Sequence, residues 1–215
     1  MEPLPAATAA LEALATPWMT QLTAPSHDAE HVRRVMRMAE RLGRSHAADL
    51  EILHAAALLH DLGRAMPESD RPHIDLSVEI AGRLMEESGF PESKREAVLH
   101  CIRAHSFSRG VEPETLEARL LRDADRLDAL GAVGIARTFS YGGEFGRPFY
   151  DPADPMARRK SAPEGSRYCV EHFFEKLFKL SDGLFSDEAR RIAAERTLSM
   201  RRFLNRMESE ANGSA

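Results

Sequence analysis

Ile52-Leu53-His54-Ala55-Ala56-Ala57-Leu58-Leu59-His60-Asp61-Leu62-Gly63 sets an apolar run directly against a His-Asp pair. The apolar run falls well short of the ~20 residues a membrane span requires, so it reads as a buried helix with Gly63 as its stop signal. His60-Asp61 then lies at the end of that helix. An aspartate there faces the negative end of the helix dipole, a penalty of a few tenths to ~1 kcal/mol. A cation beside Asp61 reverses the sign of that interaction. His31 upstream and Asp125 downstream supply the further ligands such a cation needs. Two imidazoles and two carboxylates form a mixed donor set suited to Mn, Fe, Co, Ni or Zn, with Mg where waters complete an octahedron. A metal so held lowers the pKa of its water enough to supply hydroxide near neutral pH.

Outward from this segment the periodicity is helical throughout, and no period-two strand emerges. A first helix is expected from Thr8 to Leu22, broken by Pro25-Ser26. A second runs from Asp28 to Arg44 on a stripe of Val32, Val35, Met36, Ala39 and Leu42, with Gly43 near its stop. The His60-Asp61 helix starts near Asp49. A fourth spans Ile74 to Ser88, ended by Gly89, and Pro91 opens a fifth that reaches His105. Pro113-Glu114-Thr115 precedes a helix through Leu116, Leu120, Leu121, Ala124 and Leu127, continued or restarted through Val133 and Phe139. Residues 141–166 break the pattern, with Gly142, Gly143, Gly146, Pro148, Pro152, Pro155, Pro163 and Gly165 in one stretch. A segment of this length and composition is read as a disordered loop or a functional lid. Two C-terminal helices, Tyr168–Leu180 and Asp187–Glu210, follow it.

Bulk properties narrow the function. The chain has 215 residues, enough for one sizeable core without disulfide staples. Cys101 and Cys169 form neither a paired spacing nor a zinc ribbon, and read as reduced thiols. The start of the chain, acidic at Glu2 and carrying Pro3 and Pro5, does not read as a secretory signal, so a cytoplasmic location is expected. A net charge of −5 disfavours bulk binding to DNA or to an acidic membrane. The division expected is an N-terminal helix over 1–25 packed on the domain, a single all-α domain over 26–210, and a frayed tail over 211–215.

Several side chains stand near the proposed ligands. Asp125, within Asp123-Ala124-Asp125-Arg126-Leu127-Asp128, borders an apolar stripe, where a carboxylate is costly unless paired with a cation. His31 borders the stripe of Val35 and Met38. His73 and His105 lie at helix ends, where side chains reach into clefts. Arg34 follows His31 by three residues and Arg64 follows the His60-Asp61 turn, so both are candidate phosphate contacts. The run Arg158-Arg159-Lys160 reads as a charged loop. Taken singly, each histidine is read as a hydrogen-bonded core or surface residue, and the assignment rests on the set.

That set carries a resemblance. Ser26-His27-Asp28 through His31-Val32-Arg33-Arg34-Val35, His60-Asp61-Leu62-Gly63, and Asp123-Ala124-Asp125-Arg126-Leu127-Asp128-Ala129-Leu130-Gly131 resemble the HD-domain metal-dependent phosphohydrolase superfamily. Within it the chain is similar to small stand-alone bacterial hydrolases related to YedJ and YpgQ. His105-Ser106-Phe107, Thr138-Phe139-Ser140-Tyr141-Gly142-Gly143 and Glu175-Lys176-Leu177 add to a likeness running from about residue 26 to 206.

The resemblance implies an all-α, single HD-domain helical bundle with a Gly/Pro-rich loop before the two C-terminal helices. Its metal ligands fall on His31, His60, Asp61 and Asp125, all present. One divalent ion is implied (Mn, Ni, Co, Fe, Zn or Mg). In dinuclear relatives, histidines comparable to His73 and His105 bind a second ion; in mononuclear ones they contact phosphate or move protons, and they are carried here as catalytic candidates. The implied partner is a small-molecule phosphate, a soluble nucleotide, hydrolysed by metal-bound hydroxide. Nucleoside or deoxynucleoside triphosphates lead by resemblance, with pyrophosphohydrolysis and monophosphate hydrolysis both open. Two alternatives stand beside this: an HD-fold di-iron oxygenase, which would draw six ligands from His31, His60, Asp61, His73, His105 and Asp125, and a non-catalytic ligand-binding HD domain.

Overall fold

The computed structural model describes residues 5–24, 26–106, 110–157 and 167–214. Glu2, Pro3, Pro25, Phe107, Arg158-Arg159-Lys160, Pro163, Gly165 and Ala215, invoked above, lie outside the described residues. Among those described there is no strand, only an isolated bridge between Asp151 and Asp154. The chain is all-α, and it divides into two compact units, 1–125 and 126–215.

The first unit holds α1 (Ala6–Met19), α2 (Ala29–Ser45), α3 (Leu50–Leu59), a 3-10 turn (Leu62–Ala65), α4 (His73–Glu87), α5 (Glu92–Ala104) and α6 (Leu116–Asp128) as far as Asp125. Aspartates start two of these helices. The Asp28 carboxylate accepts from the His31 amide at 2.7 Å, and Asp49 from the amides of Glu51 and Ile52 at 3.0 and 3.2 Å. Each satisfies amides that the first helical turn leaves orphaned.

α3 is the centre of the unit, with α1, α2 and α5 packed around it. Its Leu53, Ala55, Ala56, Ala57, Leu58 and Leu59 are all buried, against Val32, Val35, Ala39 and Leu42 of α2 and Val98, Cys101 and Ile102 of α5. A helix apolar on every side is one enclosed on every side. Polar bonds fix its edges: His54 Nε2 lies 2.9 Å from Glu12 of α1, Thr8 donates to Glu51 at 2.9 Å, and Lys94 of α5 reaches Asp49 and Glu51 at 2.7 and 2.9 Å.

Gly63 corrects the sequence reading. α3 ends at Leu59, and Gly63 lacks the left-handed backbone of a helix stop. It sits in the 3-10 turn, where a Cβ would fall 2.0 Å from the His73 carbonyl oxygen, 2.7 Å from the Ser77 nitrogen and 2.8 Å from the Leu76 Cβ. The Gly63 amide donates to Ser77 Oγ at 2.9 Å. Glycine is required there because the turn presses directly on the first turn of α4.

The second unit begins in the last turn of α6 and continues through α7 (Gly131–Glu144), α8 (Cys169–Glu175), a 3-10 stretch (Leu177–Gly183) and α9 (Asp187–Ala211). α6 and α7 are separate helices because Gly131 turns at φ 78°, with the stem of Arg196 only 3.0 Å from where a Cβ would stand. The end of α6 is held by arginines: Arg196 donates to the Leu127 carbonyl at 2.5 Å, Arg126 to Gly183 at 2.7 Å, and Arg137 pairs with the buried Asp128 at 2.6 Å. The expected Tyr168–Leu180 helix breaks after Glu175 into tighter 3-10 turns. The non-periodic segment begins later than expected, because α7 stays helical to Glu144. Phe139 joins exposed Phe149, buried Phe173 and half-buried Phe203 at ring separations of 5.2, 6.0 and 5.8 Å, an aromatic cluster in this unit.

Half-buried His172 of α8 is held neutral, its pKa pulled down to about 4 by burial and by Lys176 and Arg147. The unfolded chain takes up this proton near pH 6.5, so between pH 6.5 and 4 it binds more protons than the folded one. The stabilisation is therefore complete above pH 6.5 and lost as pH falls towards 4; it amounts to at most about 3 kcal/mol before solvent screening. His172→Gln should lose several degrees less in Tm than the parent between pH 7 and 4.5. Equal losses in thermal melts would discard this assignment.

Candidate metal centre

His60 is the residue that closes α3, and Asp61 opens the 3-10 turn after it. The His60 ring turns back so that Nδ1 lies 2.8 Å from the Ala57 carbonyl. A carbonyl only accepts, so the proton sits on Nδ1 and the Nε2 lone pair faces outward. His105, which closes α5, repeats the device with Nδ1 2.7 Å from the Ile102 carbonyl. His31 stands in the first turn of α2, and Asp125 near the end of α6.

These side chains converge into two groups of possible ligands: His31, His60 and Asp125, and Asp61, His73 and His105. His31 Nε2 is 3.3 Å from His60 Nε2, 3.6 Å from Asp125 Oδ1 and 3.7 Å from Asp61 Oδ2. Asp61 Oδ2 is also 3.8 Å from His60 Nε2, while its Oδ1 faces His73 Nε2 at 3.5 Å and His105 Nε2 at 3.8 Å. The carboxylate of Asp61 thus stands between the groups with one oxygen towards each. His31, His60 and Asp61 are buried, as is His105; the Asp125 side chain is 28% exposed and marks the open side.

The electrostatics favour anion and lone pair over proton. Burial lowers the pKa of His60 to about 4, leaving a neutral ring. Burial and then Arg64 do the same to His73, also to about 4. Burial by itself would raise Asp61, yet the surrounding imidazoles and Arg64 hold its carboxyl well below the usual range. Asp125 is likewise lowered, by His31, His60 and His105 against burial. At neutral pH the cluster therefore contains two carboxylates beside the neutral rings of His60 and His73. Arg64 supplies one compensating charge, with Nε 2.8 Å from Asp61 Oδ2 and Nη2 3.0 Å from His73 Nε2.

A divalent cation fits this arrangement. Among the described residues the buried Asp61 Oδ1 has no hydrogen-bond partner, a costly state for an ionised oxygen. Ligands on one cation at ~2.1 Å lie roughly 3.0–3.5 Å apart, close to the separations here.

Of the residues expected from sequence, His31, His60, Asp61 and Asp125 come together, and His73, His105 and Arg64 join them. Arg34 lies half-buried on α2, one turn beyond His31. The sequence reading missed the parts that aim these groups: the Ala57 and Ile102 carbonyls, Ser77 beneath Gly63, and Arg122 of α6. Ala57 and Ile102 each stand three residues before the histidine they orient, a signal available only once the helix end is known. His27 lies beside the cluster, its ring 5.3 Å from that of His31 and its Nδ1 2.9 Å from Ser26 Oγ.

The chain is similar to known proteins in sequence and in fold. The HD domain family model matches residues 28–130. The uncharacterised protein YpgQ of Bacillus subtilis is 38% identical over 192 residues, covering 87% of this chain and 85% of YpgQ. The crystal structure of YpgQ in complex with ADP superposes with a TM-score of 0.74 at 30% identity, over 96% of this chain and 97% of that one. An HD-superfamily hydrolase of Bacillus thuringiensis gives a TM-score of 0.73 at 33% identity, over 96% and 98% of the two chains. With a shared sequence motif, a shared fold and near-complete coverage of these relatives, the chain belongs to the HD-domain family.

Proposed function

We propose that this HD-domain protein is a metal-dependent phosphohydrolase acting on a soluble nucleotide, with His31, His60, Asp61 and Asp125 as ligands of one divalent ion. The observation that carries this is the buried Asp61 carboxylate, ionised and with Oδ1 unpartnered among imidazoles whose Nε2 atoms converge on it. The ion, when bound, supplies a Lewis acid and lowers the pKa of the water it coordinates.

The chain's own residues supply the rest. The Arg64 side chain is 30% exposed, so its fork can offer N–H groups to a phosphate while the Nε end stays beside Asp61. His73 accepts from Arg64 at Nε2 and holds that guanidinium in place. His105 has its Nδ1 proton engaged by Ile102, so Nε2 is the atom at which it takes up a proton. Support for a nucleotide comes from the complex of YpgQ with ADP, and the net charge of −5 argues against a polyanionic nucleic acid.

A second reading has its own observation. Asp61 Oδ1, His73 and His105 form a second group of three donors that would hold a second ion. Arg64 would then have to leave His73. Elemental analysis separates the two readings at one or two equivalents per chain. The expected result is one equivalent of a transition metal. After chelation and reloading with Mn, Co, Ni, Zn or Mg, a panel of nucleoside mono-, di- and triphosphates should release phosphate or pyrophosphate. No turnover with any ion would overturn the hydrolase, and two equivalents of iron without turnover would favour the oxygenase.

A further inference from the structure

We propose that Arg122 is a positioning residue that sets His105 against Asp61 and joins the α5 end of the site to the α6 end. The inference rests on the proposed role of His105, but its geometry stands apart from any activity. Arg122 is buried at 9% exposure on α6, three residues before Asp125. Its Nε and Nη2 donate to the Ala104 carbonyl at 2.8 and 2.6 Å, and Nη2 also donates to the Val111 carbonyl at 2.5 Å.

Both acceptors are informative. Ala104 is the last residue of α5, where carbonyls have no partner within the helix and a cation is favoured by the dipole. The peptide that Arg122 grips is the one leading into His105. Val111 lies on the far side of the segment that follows, so one guanidinium ties down the chain both before and after residues 105–110. A planar fork can hold two carbonyls at once, which a lysine ammonium does less well. α6 is fastened at its other end too, where Glu117 accepts from the Asp49 amide at 2.9 Å. One turn beyond Arg122, α6 presents Asp125. Arg122 therefore fixes, through one side chain, the spacing between a donor of the first group and a donor of the second.

The sequence alone gives no hint of this, because an arginine in a run of charged residues reads as solvated. Burial and the two-carbonyl grip distinguish it.

The test uses the full chain, metal-free, labelled with 15N-histidine. In the parent, the Nδ1 protons of His60 and His105, each held by a helix carbonyl, should exchange slowly with water. In Arg122→Gln the His105 proton should exchange at least tenfold faster, while that of His60, on α3, stays as it was. Arg122→Lys should fall between them, and it serves in place of Arg122→Gln if that variant does not fold. Unchanged exchange at His105 in a folded variant would overturn the inference. So would an equal acceleration at both histidines, which marks general loosening. With a hydrolysed nucleotide in hand, the same variants should lower kcat at least tenfold with little change in KM. A parent chain that hydrolyses nothing sinks the functional reading and leaves the exchange measurement to decide this one.

Discussion

Asp61→Ala is expected to abolish cation binding and hydrolysis together while leaving the helices intact. The carboxylate faces both groups of imidazoles, so its removal strips each of its shared anion. A cation at 100 times its Kd stabilises the folded chain by about 2.7 kcal/mol. For a chain of this size that corresponds to a rise in Tm of about 5–10 °C. The parent should show this rise on addition of Mn or Co, and Asp61→Ala should show none. The metal-free variant is expected to melt within a few degrees of the metal-free parent. What it loses is a buried anion with an unpartnered oxygen, and the Arg64 it frees can turn to solvent. Asp125→Ala should behave alike, with the smaller effect on metal-free stability that its partial exposure implies. A cation-induced rise retained in both variants would sink the ligand assignment.

Gly63→Val should produce the largest loss of stability available near the site. A new Cβ would meet the His73 carbonyl oxygen at 2.0 Å and the Ser77 nitrogen at 2.7 Å, both backbone atoms that no rotamer change can move. Overpacking of this kind costs ~3 kcal/mol or more, which is roughly 6–12 °C in Tm. The turn must lift off α4, and the bond from the Gly63 amide to Ser77 goes with it. Since Arg64 follows in the same turn and His73 opens α4, whatever activity survives should show a raised KM for the phosphate substrate. Gly82→Ala is the matched control. It lies within α4 with nothing inside 4 Å of the new methyl, so it should gain up to ~1 kcal/mol from helix propensity. A Gly63→Val protein that melts with the Gly82→Ala protein would refute the close-packing account.

What was legible in the sequence, and what was not, follows from where each signal resides. The α3 run and the aspartate starts of α2 and α3 are local patterns, and each appears in the structure within a residue or two of its expected place. The all-α class followed from the same periodicity, and the convergence of His31, His60, Asp61 and Asp125 from a motif spread over three helices. The misreadings concern demands set from a distance. Gly63 stands after a helix and so read as its stop, whereas the need for glycine comes from α4, ten residues later. The break at Gly131, which the sequence left open as a continued or a restarted helix, depends on Arg196, 65 residues away, whose stem fills the space a Cβ would take. α8 stops where an unbroken helix was expected, since three phenylalanines there suit a helix and a 3-10 turn equally in pattern. Arg64 stood as a candidate phosphate contact by position alone, and its pairing with Asp61 and His73 needed the fold.

The turned-back rings of His60 and His105 have a consequence for how the centre comes together. Each imidazole is aimed by a carbonyl of its own helix three residues earlier, so its orientation is settled as soon as that helix forms. At the proposed ligand His60 an ion would then have few rotamers left to freeze, and the donor nitrogen is made more basic by the bond at the opposite side of the ring. His31 and Asp125 must be brought in by α2 and α6, from 29 residues before His60 and 65 after it. Of the four proposed ligands, His60 and Asp61 are thus set on one short stretch of chain, and assembly of the other two would be a matter of docking two helices.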